Sequence, residues 1–225
     1  MKDTNANPGP DRTVTIDVIS DAVCPWCFLG KRKLAAALDL SGDIGAEIRW
    51  RPYQLDATIP PEGMRRVDYL TRKFGPERVG QMNTRLIEAG RETGIAFAFD
   101  RIERSPNTLD AHRLIRWAQP TGVQDAVVER LFKLYFEEGA DIGDREILAG
   151  VAADHGFDRA MARRMLDAET DKDAVREEIA VARRMGVNGV PFFIFNGKYA
   201  LSGAQPPEII AGAIKKALTE TAAGR

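Results

Sequence analysis

Cysteine is scarce in this sequence, and the scarcity is informative. Cys24 and Cys27 are the only two in 225 residues. A small secreted scaffold held by disulfides would spread more of them along the chain, so stapling is a poor explanation for these two. Histidine is just as scarce. His112 and His155 lie far further apart than the roughly three to five residues of a zinc-finger pair, so no metal site is expected. An excess of one charge is also missing: 32 Lys and Arg stand against 33 Asp and Glu, a net charge of -1. That balance removes the electrostatic argument for nucleic acid or an anionic membrane as partner. No apolar run approaches the length of a bilayer span. The opening MKDTNANPGPDRT holds nothing like the apolar core of a signal peptide, and a cytoplasmic location is the expectation. What remains is an ordinary globular composition, 44% hydrophobic and 29% charged, long enough for one domain carrying a large insertion.

Residues 1–12 are polar and rich in Asn, Pro and Gly, and read as a disordered tail. Val14 to Ser20 is β-branched and apolar and predicts a strand. Phe28 to Leu40 repeats Leu34, Ala37 and Leu38 on one helical face, and Glu47 to Tyr53 predicts a second strand. A β-α-β opening of this kind makes its two strands parallel through a right-handed crossover. The middle changes period. Val67–Phe74, Pro76–Thr93, Pro106–Ala118, Gln124–Glu138, Arg145–His155, Arg159–Ala168 and Ala174–Met185 all recur at three and four. Ser105-Pro106 suits a cap followed by a first-turn proline, and Gly156 and Gly186 suit helix stops. The ending returns to β structure: FFIFN, then Asn196-Gly197, then KYALSG predicts a hairpin, and Pro207–Thr219 a last helix. The expected fold is α/β and thioredoxin-like, β-α-β … β-β-α, with a large all-helical insertion. The thioredoxin-like domain takes residues 13–62 and 187–225, and the insertion takes 63–186.

The two cysteines stand together as C-P-W-C, straight after the first strand and at the mouth of a helix. Unpaired amide groups and the helix dipole favour negative charge there, so a thiolate at Cys24 is stabilised. Pro25 suits the first helical position, because its missing N–H is not needed. Cys27, one turn further in, can attack a mixed disulfide on Cys24. Trp26 sits at the rim, where it either forms apolar substrate surface or packs locally. Phe28, Phe192 and Phe193 are expected in the core. Val190-Pro191, just before the late strand, predicts a cis-proline facing the cysteines, and Val190 can offer backbone groups to an extended substrate.

The segments SDAVCPWCFLGKRKL, SPNTLDAHRL and GVNGVPFFIFNGKYALSGAQ together resemble the DsbA-like thioredoxin family, and within it the cytoplasmic FrnE-type branch, over residues 13–220. The resemblance implies Cys24 as exposed nucleophile, Cys27 as buried partner and Pro191 as the cis-proline. It implies that Asn107, Thr108 and His112 open a helix near the site. His112 is either a structural histidine or a proton relay, and His155 suits a helix C-terminus. Thioredoxin and the periplasmic DsbA proteins carry an acidic residue in the strand ahead of the first cysteine, at the position where this chain has Val18. Strand alternation puts Asp17 on the far face, and Asp21 reads as a plain loop acid, which leaves the route of the Cys27 proton open.

The function these readings favour is a thiol–disulfide oxidoreductase acting on protein or small-molecule thiols and disulfides, with the cysteine pair as its redox centre and no further cofactor. The resemblance extends to 2-hydroxychromene-2-carboxylate isomerases and kappa-class glutathione transferases, so a glutathione-dependent isomerase or transferase is the second candidate. Gly203, Ala204 and Gln205, just before the last helix, could then hold a glutathione carboxylate. A non-enzymatic chaperone with an apolar groove is the third. Composition does not fix the oligomeric state.

Overall fold

The computed structural model describes residues 12–223, so the tail expected at 1–12 lies outside the described residues except for Arg12. Strand β1 (Thr13–Ser20) turns Val14, Ile16 and Val18 into the core and the residues between them outward. Helix α1 (Pro25–Ser41) carries the chain back to β2 (Gly45–Pro52), which lies parallel to β1 with Ile16 opposite Ile48. Strands β5 (Phe192–Phe195) and β6 (Tyr199–Ser202) complete one sheet in the order β2-β1-β5-β6, with β5 antiparallel to β1. Asn196 and Gly197 close the β5–β6 hairpin, both with positive φ. That backbone matches the twist of the flanking strands and tolerates few other residue pairs. Helix α9 (Pro207–Ala223) packs beside α1 under the sheet.

Between the halves of the sheet run β3 (Met64–Arg65), α2 (Arg66–Phe74), α3 (Pro76–Thr93), a 3-10 turn at Phe99–Arg101 and β4 (Arg104–Ser105). Then come α4 (Leu109–Ala118), α5 (Gln124–Phe136), α6 (Arg145–Asp154), α7 (Arg159–Asp167) and α8 (Lys172–Arg184). Helix α4 begins at Leu109 rather than at the expected Pro106. Ser105 is committed to a ribbon with Met64, and the Asn107 carboxamide accepts the Leu109 N–H at 3.0 Å in place of a serine cap.

One core serves both parts. The Phe28 ring on α1 stacks on Phe132 of α5 at 5.0 Å and on Phe136 at 6.2 Å, and meets Phe97 edge-on at 6.2 Å. Phe28 and Phe193 are fully buried as expected, while Phe192 is only half-buried, facing α8 on the other side of the sheet. His155 donates from Nδ1 to the Val151 carbonyl at 2.7 Å at the end of α6.

Arg113 is a charged residue with no exposed surface. Its guanidinium donates to the Asp110 carboxylate and to the carbonyls of Met165, Leu166, Ala168 and Thr170, which end α7 and the loop after it. The carbonyls at a helix C-terminus have no intrahelical donor, so a buried end needs such a partner. Arg113→Met is expected to cost about 3 kcal/mol, read as a lower urea midpoint, because it leaves several buried acceptors unpaired. Arg113→Lys should recover little, since an ammonium cannot reproduce the planar fork.

Candidate active site

Chain geometry after β1 places the cysteines. The Cys24 N–H donates to the Asp21 carbonyl at 3.0 Å, closing a tight turn, and Cys24 then caps α1 with Pro25 in the first helical position. The Cys24 carbonyl accepts the N–H groups of Cys27 and Phe28, at 3.0 and 3.3 Å. No acidic residue occupies the first turn, so nothing there opposes negative charge at the helix mouth. Both cysteines are free thiols.

The Val190–Pro191 peptide is cis, and the Cys24 thiol donates to the Val190 carbonyl at 3.5 Å. The Pro191 carbonyl accepts the Gly203 N–H at 2.8 Å, which ties this loop to the end of β6. On the other side Gly30 lets α1 lie against the proline ring, where a Cβ would come within 2.8 Å of the Pro191 Cγ.

Cys27 lies behind Cys24 and is wholly buried. Burial pushes its thiol well above the ordinary range, and the hydrogen bond and charge of Cys24 push the same way. Ser20 and the Asp21 backbone work against this and lower it.

Cys24, expected to be exposed, keeps only 3% of its surface. Its sulfur is covered by the Val190 loop and is reached through a cavity of about 400 Å³. Cys24, Trp26 and Val190 form one wall of this cavity, and Leu70, Phe74 and Leu86 of α2 and α3 form another. Trp26 stands at the rim, 43% exposed. Arg66 enters the wall with its guanidinium over the Phe99 ring at 5.2 Å, and burial draws its pKa down. Burial pushes the Tyr135 phenol up to about 12, so it keeps its proton at neutral pH and donates to the Arg104 carbonyl at 3.1 Å.

The expected site residues separate into two groups. Cys24, Pro25, Trp26 and Val190 line the cavity together. Asn107, His112, Gly203, Ala204 and Gln205 do not line it. Asn107 bonds to Gln54, the Ile59 carbonyl and the Leu109 N–H, holding the loop before the insertion against α4. His112, at 2% exposure, is too buried for substrate contact, and its Nε2 sits 2.8 Å from the Tyr53 carbonyl. Ala204 accepts from Lys33, and Gln205 donates to the Ser202 carbonyl, so both brace the loop before α9. Asp21 is no plain loop acid: it is buried, accepts the Leu55 N–H at 2.8 Å, and lies 3.4 Å from His112. Among the described residues no cluster of His, Cys, Asp and Glu is placed to hold a metal ion, and no helix is long and apolar enough to cross a membrane.

Residues 15–215 match the family model described as the DSBA-like thioredoxin domain. The chain belongs to that family. Its membership explains why a cysteine pair after the first strand meets a proline loop from the far end of the chain. Among relatives of this DSBA-like protein, YwbO of Bacillus subtilis (strain 168), itself uncharacterised, is 28% identical over 203 residues, covering 90% of this chain and 96% of its own. The crystal structure of a probable DsbA oxidoreductase from Streptomyces coelicolor superposes with a TM-score of 0.84 at 28% identity, covering 92% of this chain and 91% of that one. The cytosolic disulfide reductase DsbM from Pseudomonas aeruginosa, solved with GSH, shares the fold at 19% identity and a TM-score of 0.63, over 91% and 99% of the two chains. A 2-hydroxychromene-2-carboxylate isomerase shares it at 18% identity and a TM-score of 0.71, over 94% and 99%.

Proposed function

We propose that this protein is a thiol–disulfide oxidoreductase in which Cys24 attacks and Cys27 resolves. The observation that carries the reading is the position of the Cys24 sulfur: at a helix mouth, against the Val190 carbonyl, in the wall of an apolar cavity, with a second, buried thiol one helical turn behind it. In the reducing direction the Cys24 thiolate attacks one sulfur of a substrate disulfide and expels the other as a thiolate. Cys27 then attacks Cys24, expels the second substrate sulfur and leaves a Cys24–Cys27 disulfide. Two electrons pass from the pair to the substrate. An external thiol then reduces the Cys24–Cys27 disulfide; the reverse sequence oxidises a dithiol, leaves the pair reduced and needs an external disulfide to reset it.

The cavity favours a disulfide or thiol that brings apolar surface with it, either a small molecule or an apolar side chain of a protein. Backbone groups of Val190 beside Cys24 suit an extended segment on the same side. Glutathione is a fitting reductant, given the DsbM structure that contains it. The setting this reading suits is the cytoplasm, with the cysteine pair as the only redox centre.

The test is reduction of insulin and of oxidised glutathione by the wild type and by Cys24→Ser. Activity is expected in the wild type and only the uncatalysed background in the variant. Equal activity in both would end the reading. Tight glutathione binding with turnover that survives loss of Cys27 would favour an isomerase or transferase instead.

A further inference from the structure

Before Cys27 can resolve a mixed disulfide it must lose a proton, and its burial makes that loss hard. The strand ahead of the pair offers no acid or base on the facing side, since Val18 is buried in the core there. Three features near Cys27 take no part in the two sulfur-exchange steps themselves. First, His112 Nε2 lies 2.8 Å from the Tyr53 carbonyl, so in the neutral ring Nε2 carries the hydrogen and Nδ1 carries the lone pair. That Nδ1 is buried without a hydrogen-bond partner. Native proteins rarely leave such an atom unpaired without a reason. Second, His112 and Ser20 line the same small space of about 10 Å³, roughly the room one water molecule needs. Ser20 is also the side chain that works against burial to lower the Cys27 thiol's pKa. Third, Asp21 Oδ1 is buried without a hydrogen bond, lies 3.4 Å from His112 Nε2, and belongs to a residue that lines the Cys24 cavity.

We propose that Ser20, one water and His112 form a proton path from the Cys27 thiol, and that Asp21 returns the proton to the cavity. The inference rests on the disulfide-exchange reading. In the resolving step the Cys27 S–H proton passes to the Ser20 oxygen as the Ser20 proton passes to the water, and a water proton passes to His112 Nδ1. The Cys27 thiolate attacks Cys24 and forms the S–S bond, and the substrate sulfur leaves as a thiolate. The imidazolium releases its Nε2 proton toward Asp21, and the departing thiolate takes it up at the cavity wall. One proton leaves Cys27 and one arrives on the product thiol, and the ring is left with its hydrogen on Nδ1. Reduction of the pair by an external thiol runs the path backward, returning a proton to Nε2 through Asp21 and the Nδ1 proton to Cys27.

The charged groups around His112 are few. Asp21 faces it from the end of β1. Arg51 of β2 lines the same small space and is paired with Asp17 at 2.7 Å. Cys27 and Cys24 of the α1 mouth lie beyond Ser20. Residues Val128 and Phe132 of α5, and Ile115 of α4 itself, are apolar. A proton held on His112 therefore has one facing carboxylate to stabilise it.

The experiment uses 5,5′-dithiobis-(2-nitrobenzoate), which releases one coloured thiolate when Cys24 attacks and a second when Cys27 resolves. His112→Gln keeps an N–H for the Tyr53 carbonyl but removes the base, and Ser20→Ala breaks the path at its first link. In both, the first release should stay within about twofold of wild type, and the second should slow by about a hundredfold at neutral pH, the usual size of general-base assistance. The second release in His112→Gln should rise tenfold per pH unit, following the thiol alone. The wild type should be flatter. An unchanged second release in His112→Gln, or one slowed equally at every pH, would overturn the path while leaving the exchange reading standing. Absence of the first release in wild type would instead overturn the exchange reading and this path with it.

Discussion

Cys27→Ser is expected to attack a disulfide once and stop. Intact-protein mass spectrometry should show the variant accumulating one substrate thiol on Cys24, stoichiometrically, after brief exposure to oxidised glutathione. Steady-state turnover should fall by at least about a thousandfold, because a thiol held beside the mixed disulfide acts at an effective concentration no external thiol reaches. The trapped species should be long-lived, since Cys24 lies under the Val190 carbonyl and is approached only through the cavity. Removing Cys24 instead should leave no adduct at all, because the remaining thiol is fully buried and pushed well above the ordinary range. Rapid, complete labelling of the Cys24→Ser protein by a small disulfide would contradict the division of labour between the two sulfurs.

Phe28→Ala is expected to destabilise the protein by about 3–5 kcal/mol, the range for an aromatic deleted from a packed core. The ring has no exposed surface and touches three other aromatics, two stacked and one edge-on. Such pairs add to what burial alone contributes. The Arg32 guanidinium also lies over this ring at 4.8 Å while pairing with Glu129 on α5. For a chain of this size the loss should lower the melting temperature by about 10 °C. The ring sits next to Cys27 in sequence and against α5 in space, so exchange should slow as well as the midpoint falling. Phe28→Leu, which keeps most of the volume, should recover more than half of both. A melting curve unchanged in Phe28→Ala would mean that the sheet and the helical segment do not share a core.

Much of this was legible before any coordinates. The α3 helix matches its predicted bounds of Pro76 and Thr93, because proline and a left-handed glycine mark its two ends. The Asn196-Gly197 turn could be read from two residues. The β3–β4 ribbon could not: two residues per strand carry no periodicity, and its formation moved the start of α4 past Ser105. Within the site, the cysteine pair and Val190-Pro191 stood out by local chemistry. Arg66 and Tyr135 did not, since nothing nearby in sequence marks them and only folding brings them to the cavity. Asp21 was misread for a related reason. An acid after a strand looks solvated until a partner 34 residues away, Leu55, closes over it.

The contact between the Cys24 sulfur and the Val190 carbonyl joins residues 166 apart. During synthesis the cysteines leave the ribosome with β1 and α1 long before the proline loop exists to cover them. For that interval the nucleophile belongs to an unfinished protein, open to any oxidant or stray thiol around it. The pair acquires the loop that screens it only after residue 190 has been made, so its reactivity and its selectivity arrive at opposite ends of synthesis.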